Sequence, residues 1–214
     1  MFIVIEGLDG SGKATQSEKL YNHLKDGGKD ALHLSFPVYN SPSSSLVKMY
    51  LNGDISEDLS DINAYAASTY YAVDRSAQFI KNKWSADFII ADRYTTSNMI
   101  YQTAKLDTGR DEYLNWLCDL EYNRLNLPEP DLVIYLDVPV EISQKLMSQR
   151  YKGDDSKKDL HEKNVKYLNS CRDAAAYVCE KYGWSVINCG KNGELKSIDE
   201  IFNEILERVE AECK

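Results

Sequence analysis

One stretch constrains the fold of this chain more than any other. The apolar run Phe2 to Glu6 (FIVIE) enters GLDGSGKATQ, Gly7 to Gln16, and ATQSEKLYNHL then carries helical apolar spacing with no breaker. Strand, G-x-x-x-x-G-K, helix is the order a phosphate-binding loop requires. Glycines let the backbone curl so that successive N–H groups point inward, the following helix adds its positive N-terminal end, and Lys13 neutralises the outer phosphates of a nucleoside triphosphate. One position departs from the pattern. The motif places Ser or Thr after the lysine, to offer a hydroxyl to Mg2+, and this chain has Ala14; Thr15 lies about 100° further round the helix and is no direct substitute.

Further β-rich runs occur at Ala31 to Phe36, Asp87 to Asp92, Asp131 to Asp137 and Trp184 to Cys189, separated by segments with three- and four-residue apolar spacing. Near-continuous apolar strands alternating with helices predict an α/β fold, a doubly wound five-stranded parallel sheet with helices on both faces. Ligands of such sheets bind at the carboxyl ends of the strands, here Glu6-Gly7, Phe36-Pro37, Asp92-Arg93 and Asp137. The 214 residues are read as one domain, 1–214, with a charged, Gly-containing flap at 150–159 (RYKGDDSKKD) as a mobile lid. A net charge of −9 opposes indiscriminate binding to nucleic acid or an anionic membrane. No apolar run reaches the ~20 residues of a membrane span and no signal peptide leads the chain, so a cytoplasmic location is expected. Five scattered cysteines without a C-x-x-C pair fit reduced thiols.

A phosphate loop alone does not separate a phosphotransferase from a molecular switch. The N-K-x-D signature of GTP switches is missing, since KNKW at Lys81 to Trp84 lacks its aspartate. Three clusters suit a second, phosphate-bearing ligand: SFPVY after the second strand, YYAVDR on a helix ending at Arg75, and ADRYTTSNMIYQ after the third strand. Arg75 and Arg93 are guanidinium forks suited to a phosphate. Tyr39, Tyr71 and Tyr101 suit a base and sugar.

Taken together, FIVIEGLDGSGKATQ, FPVY, YAVDR, DRYTTSNMIY, LEYNRLNLPEPDLVIYLDV and the QRYKGDD…KKDLHE flap resemble the thymidylate kinase family over the whole length. The resemblance implies transfer of the γ-phosphoryl of ATP to dTMP, giving dTDP and ADP for dTTP synthesis. ATP would lie on Gly7, Leu8, Asp9, Gly10, Ser11, Gly12, Lys13, Ala14 and Thr15. The dTMP phosphate falls to Arg93 and Tyr39 with Phe36 lining the pocket, thymine to Tyr71 by stacking and Arg75 at its carbonyl edge. Ser97, Asn98 and Tyr101 line base and sugar, Tyr101 crowding C2′, and Asp159 and His161 lie nearby, His161 standing where tyrosine is usual. Asp9, Asp92 and Glu162 are placed around Mg2+, with Glu6 behind them as a partner for Arg93. Gly10 in the loop and Arg150, Lys152, Lys157 and Lys158 in or beside the flap resemble the variety whose catalytic cation comes from the lid, so Lys13, Asp9, Arg93 and Arg150 form the expected catalytic set. A homodimer through helices including INAYAASTYYAV is implied, and NCGKNGE, Asn188 to Glu194, is a candidate cover for adenine. Two other readings remain open at this point: a deoxynucleoside kinase, and a non-catalytic nucleotide-binding module marked by Ala14.

Overall fold

The computed structural model describes residues 1–58, 61–150, 164–191 and 194–213. Its centre is β1 (Phe2–Gly7), flanked by β3 (Phe88–Asp92) and β4 (Leu132–Asp137), with β2 (Ala31–Ser35) and β5 (Ser185–Asn188) outside them. The order is β2-β3-β1-β4-β5 and every pairing is parallel. Position in the sheet follows from composition: Ile3, Val4 and Ile5 are fully buried, whereas the outer strand β5 is buried only at Ile187. Each such side chain contributes roughly 1.5–3 kcal/mol on burial, so β1 belongs in the middle.

Alternation along the strands divides the core between two faces. Ile3, Ile5, Ile90 and Ile134 pack with Leu20 of α1 (Lys13–Asp26) and with Ile201, Ile205 and Val209 of α8 (Ile198–Glu212). On the other face, Phe2, Val4, Ala91 and Val133 meet Phe36, Trp84, Tyr94 and Leu127. α8 starts at a reciprocal cap, with the Ser197 side chain accepting from the Glu200 N–H while Glu200 accepts from the Ser197 N–H. The remaining helices are α2 (Ser45–Asn52), α3 (Ala64–Asn82), α4 (Thr95–Tyr101), α5 (Arg110–Cys118), α6 (Val140–Arg150) and α7 (Val165–Tyr182).

Two local readings are corrected. The YYAVDR helix does not end at Arg75, because SAQFIKN continues it without a breaker until Lys83 turns left-handed at φ 43°. The Gly-containing segment after β5 is a small antiparallel hairpin of β6 (Gly190–Lys191) and β7 (Glu194–Leu195) rather than plain loop. All five cysteines are free thiols. Among the described residues no helix is long and apolar enough to cross a membrane.

Candidate active site

All five strands end on one side, and there the loop after β1 and the acceptor clusters share one cavity of about 920 Å³. That is the upper end of the range for small-molecule sites. Gly10 and Gly12 hold positive φ values of 80° and 83°, which side chains adopt only under strain. A Cβ on Gly7 would meet Ser11 Oγ at 2.5 Å, so that turn also excludes larger residues. Gly12 caps α1 and Lys13 opens it, 7% exposed, with Nζ 3.2 Å from the Leu8 carbonyl and 3.5 Å from Asp9. Burial, and then the Arg93 charge, push the Lys13 pKa below its usual value, while Asp9, Asp92 and Glu6 oppose the shift. Ala14 and Thr15 are exposed on the cavity wall.

Arg93 is the charged hub. At the turn out of β3 its backbone takes φ 66°, unusual for a non-glycine residue, and the side chain reaches Asp9, Ser97 Oγ at 3.3 Å and Glu6 at 3.8 Å. Burial alone would lower its pKa, but Asp9, Tyr101, Glu6 and Asp92 outweigh that and hold it well above the usual value. Glu6, fully buried on β1, accepts from Thr96 Oγ1 at 2.8 Å and Ser97 Oγ at 2.7 Å, so the expected Glu6–Arg93 partnership exists within a larger network. Asp9 accepts from Tyr101 Oη at 2.9 Å. Burial, then Asp9, raises the Tyr101 pKa far above ordinary, so its hydroxyl stays a donor.

On the base side, Arg75 has a buried partner that the sequence did not show. Sequence pairs it with Arg93 as a phosphate fork, but the structure commits its Nε and Nη2 to Glu121 Oε2 and Oε1 at 2.7 and 2.5 Å. Burial would lower the Arg75 pKa, and the Glu121 carboxylate more than reverses this. Arg75 nevertheless lines the cavity, beside Tyr71 and Asn98, whose Nδ2 donates to the Ser68 carbonyl at 3.3 Å. Phe36 packs against Trp84 and Tyr94, ring centroids 5.5 and 5.9 Å away. Tyr39 is half exposed at the rim. Its loop is pinned by Asp74, which accepts from the Val38 N–H at 2.8 Å and from Ser43 Oγ at 2.5 Å.

Glu121, Asp74 and Gln102 were not identified as site residues from sequence. Gln102 lines the cavity at 1% exposure, its Oε1 buried without a hydrogen-bond partner among the described residues. Asp92 Oδ1 is likewise buried and unpartnered among the described residues. Of the expected site residues, Asp9, Lys13, Phe36, Tyr39, Tyr71, Arg75, Asp92, Arg93, Ser97, Asn98 and Tyr101 all border the one cavity. The Arg150 side chain and Lys152, Lys157, Lys158, Asp159, His161 and Glu162 lie outside the described residues. On the donor side, the cavity runs from Thr15 and Gln16 to Leu195 and Ile198, which places the β6–β7 hairpin at its edge.

Comparison with known proteins points one way. The family model described as Thymidylate kinase matches residues 5–203. The thymidylate kinase of Mycobacterium tuberculosis (strain ATCC 25618 / H37Rv) is 31% identical over 191 residues, covering 86% of this chain and 87% of that protein. A probable thymidylate kinase of Thermococcus onnurineus (strain NA1) is 32% identical over 220 residues, covering 99% and 98%. The solved structure of the thymidylate kinase from Candida albicans superposes with a TM-score of 0.72 at 23% identity, covering 98% of this chain and 91% of that one, a likeness of fold.

Proposed function

The chain belongs to the thymidylate kinase family, and from that premise we propose how its cavity divides to move the γ-phosphoryl of ATP to dTMP, giving dTDP and ADP. The observation that carries the proposal is the convergence of the phosphate loop with Arg93, Tyr71, Arg75 and Tyr101 on one cavity. ATP takes the loop from Gly7 to Thr15, with its base toward the β6–β7 hairpin. The dTMP phosphate takes Arg93 and Tyr39, and its base lies between Tyr71 and the polar end formed by Arg75, Asn98 and Gln102. Gln102 Oε1, buried and without a hydrogen-bond partner among the described residues, supports a ligand that places a donor in that end of the cavity.

No general base is required. A dTMP phosphate oxygen is already a deprotonated nucleophile, so the protein's work is alignment of that oxygen on the γ-phosphorus and balance of charge. Arg93 and Lys13 supply positive charge on either side of Asp9, which restrains both. Tyr101, fixed by its bond to Asp9, crowds the sugar and disfavours a ribose hydroxyl. Replacing Tyr71 with alanine is expected to raise the dTMP KM about tenfold or more and leave the ATP KM within about twofold. Equal effects on both would remove Tyr71 from the acceptor half.

Mg2+ is the expected companion of ATP. The buried Asp92 Oδ1, without a hydrogen-bond partner among the described residues, fits a cation or one of its waters, and Asp9 stands nearby as a further oxygen donor. Such a site needs few protein oxygens. When bound, the ion neutralises phosphate charge. With these carboxylates present, Ala14→Ser should lower the Mg2+ concentration for half-maximal rate by no more than about threefold. A shift of orders of magnitude would mark Ala14 as a defect in the loop.

The catalytic cation completing the set is assigned to the lid, in keeping with Gly10 in the loop. Arg150 closes α6, whose Leu146 borders the cavity, and the proposal takes the charged stretch 150–159 as the lid of a single domain. Arg150→Ala is expected to depress kcat by on the order of 10³-fold with dTMP binding nearly unchanged; an unaltered kcat would take the role away from Arg150. A homodimer is supported by exposed apolar residues on α2 and α3, including Met49, Val73 and Ile80.

A further inference from the structure

We propose that Glu121 is a positioning residue that sets base choice on the acceptor side. By gripping the Nε–Nη2 edge of Arg75, it presents the remaining guanidinium N–H groups as fixed donors, so that a pyrimidine carbonyl is accepted there and an exocyclic amino group is refused. The inference rests on the acceptor reading given above.

Glu121 is fully buried and stands on a π-helical turn, Asp119–Arg124, that follows directly on α5. Such turns shift the helical register, and here a carboxylate on the turn faces three side chains from two other elements. Its two oxygens take Arg75 of α3 bidentately. Oε2 also accepts from Thr95 Oγ1 at 2.7 Å and Oε1 from Asn98 Nδ2 at 3.5 Å, both on α4. Arg75 completes its hold on the framework through Nη1, 3.4 Å from the Tyr94 carbonyl.

This arrangement changes what Arg75 can read. An unpaired buried guanidinium would draw an anion and would compete with Arg93 for the acceptor's phosphate. Paired with Glu121, its charge is balanced and its fork cannot rotate, so what it offers the cavity is directional N–H groups suited to a neutral acceptor. A carbonyl at the 4-position of the base matches them. An amino group there sets donor against donor and leaves buried polar groups unpaired, the arrangement by which binding sites discriminate most strongly.

The test compares kcat and KM for dTMP and for 5-methyl-dCMP, which keeps the methyl group and differs at the 4-substituent and the adjoining ring nitrogen. Where turnover of the latter is too slow, its inhibition constant serves. Glu121→Gln should raise the dTMP KM about ten- to hundredfold, keep kcat within about threefold, and narrow the preference for dTMP by a factor similar to the KM change. Thr95→Val removes one bond to Glu121 and leaves both charges in place, so it should move the preference the same way by about threefold. It carries the test if Glu121→Gln lacks a cooperative unfolding transition. An unchanged preference in the folded variants, or a kcat loss equal for both acceptors, overturns the proposal. Failure of the underlying acceptor reading is distinct, because wild-type protein would then show no dTMP-stimulated ADP release.

Discussion

Arg93→Met is expected to lower kcat/KM for dTMP by on the order of 10⁴-fold, the largest acceptor-side effect in the molecule. The residue has two jobs that methionine abolishes together. In the proposed division of the cavity its guanidinium takes the acceptor phosphate, and it is also the counter-charge of Asp9 and Glu6, the latter fully buried. Removing the charge partner of buried Glu6, and one of the two that Asp9 has among the described residues, should cost about 3–5 kcal/mol of stability, readable by denaturant unfolding. Arg93→Lys separates the two jobs. It keeps a cation beside Glu6 and Asp9, so most of the stability returns, but it loses the planar fork, so the dTMP KM should stay raised by about a hundredfold. A lysine variant with wild-type KM would take the acceptor phosphate away from Arg93.

Lys13→Met should lower kcat by on the order of 10³-fold or more while changing dTMP affinity, measured by calorimetry without ATP, by less than about threefold. Methionine is close in shape, and the bonds Lys13 makes in the protein alone are long, 3.2 Å to the Leu8 carbonyl and 3.5 Å to Asp9. Little framework is therefore lost, and the missing term is charge on the phosphates. The depressed Lys13 pKa points the same way: a buried ammonium, desolvated and facing Arg93, regains stabilisation when phosphate arrives. Parallel loss of dTMP affinity in the variant would place Lys13 between the two halves of the cavity rather than in the donor half.

What could be seen in the sequence was whatever lies contiguous along it. The phosphate loop is a run of ten residues with its strand and helix attached, and the five strands are apolar runs whose bounds moved by a residue or so. Asp9, Arg93 and Tyr101 were legible as candidates because each sits in a short motif at a strand end. Glu121 was not legible as a site residue. In DLEYNR, Asp119 and Arg124 pair on the surface, while the π turn sends Glu121 inward to Arg75, forty-six positions away in sequence, and nothing local marks which of its charges is buried. Gln102 closes the cluster ADRYTTSNMIYQ but did not stand out within it, because nothing in MIYQ tells which side of the helix end meets a cavity. The Glu121 partner of Arg75 could not be seen because a guanidinium's partner cannot be counted from its own neighbours. Ala14 illustrates the reverse. A departure conspicuous in the motif alters an exposed wall position, while the glycine geometry and Lys13 remain in place.

The most direct test is release of ADP from ATP, measured with dTMP, dUMP, dCMP, AMP or thymidine as the only acceptor. The strongest stimulation is expected with dTMP. dUMP should follow at about a tenth to a two-hundredth of its kcat/KM, since one methyl group separates them, and thymidine, which offers Arg93 no phosphate, should stimulate least among the thymine compounds. ADP release unaffected by every acceptor, or faster with thymidine than with dTMP, would contradict that expectation.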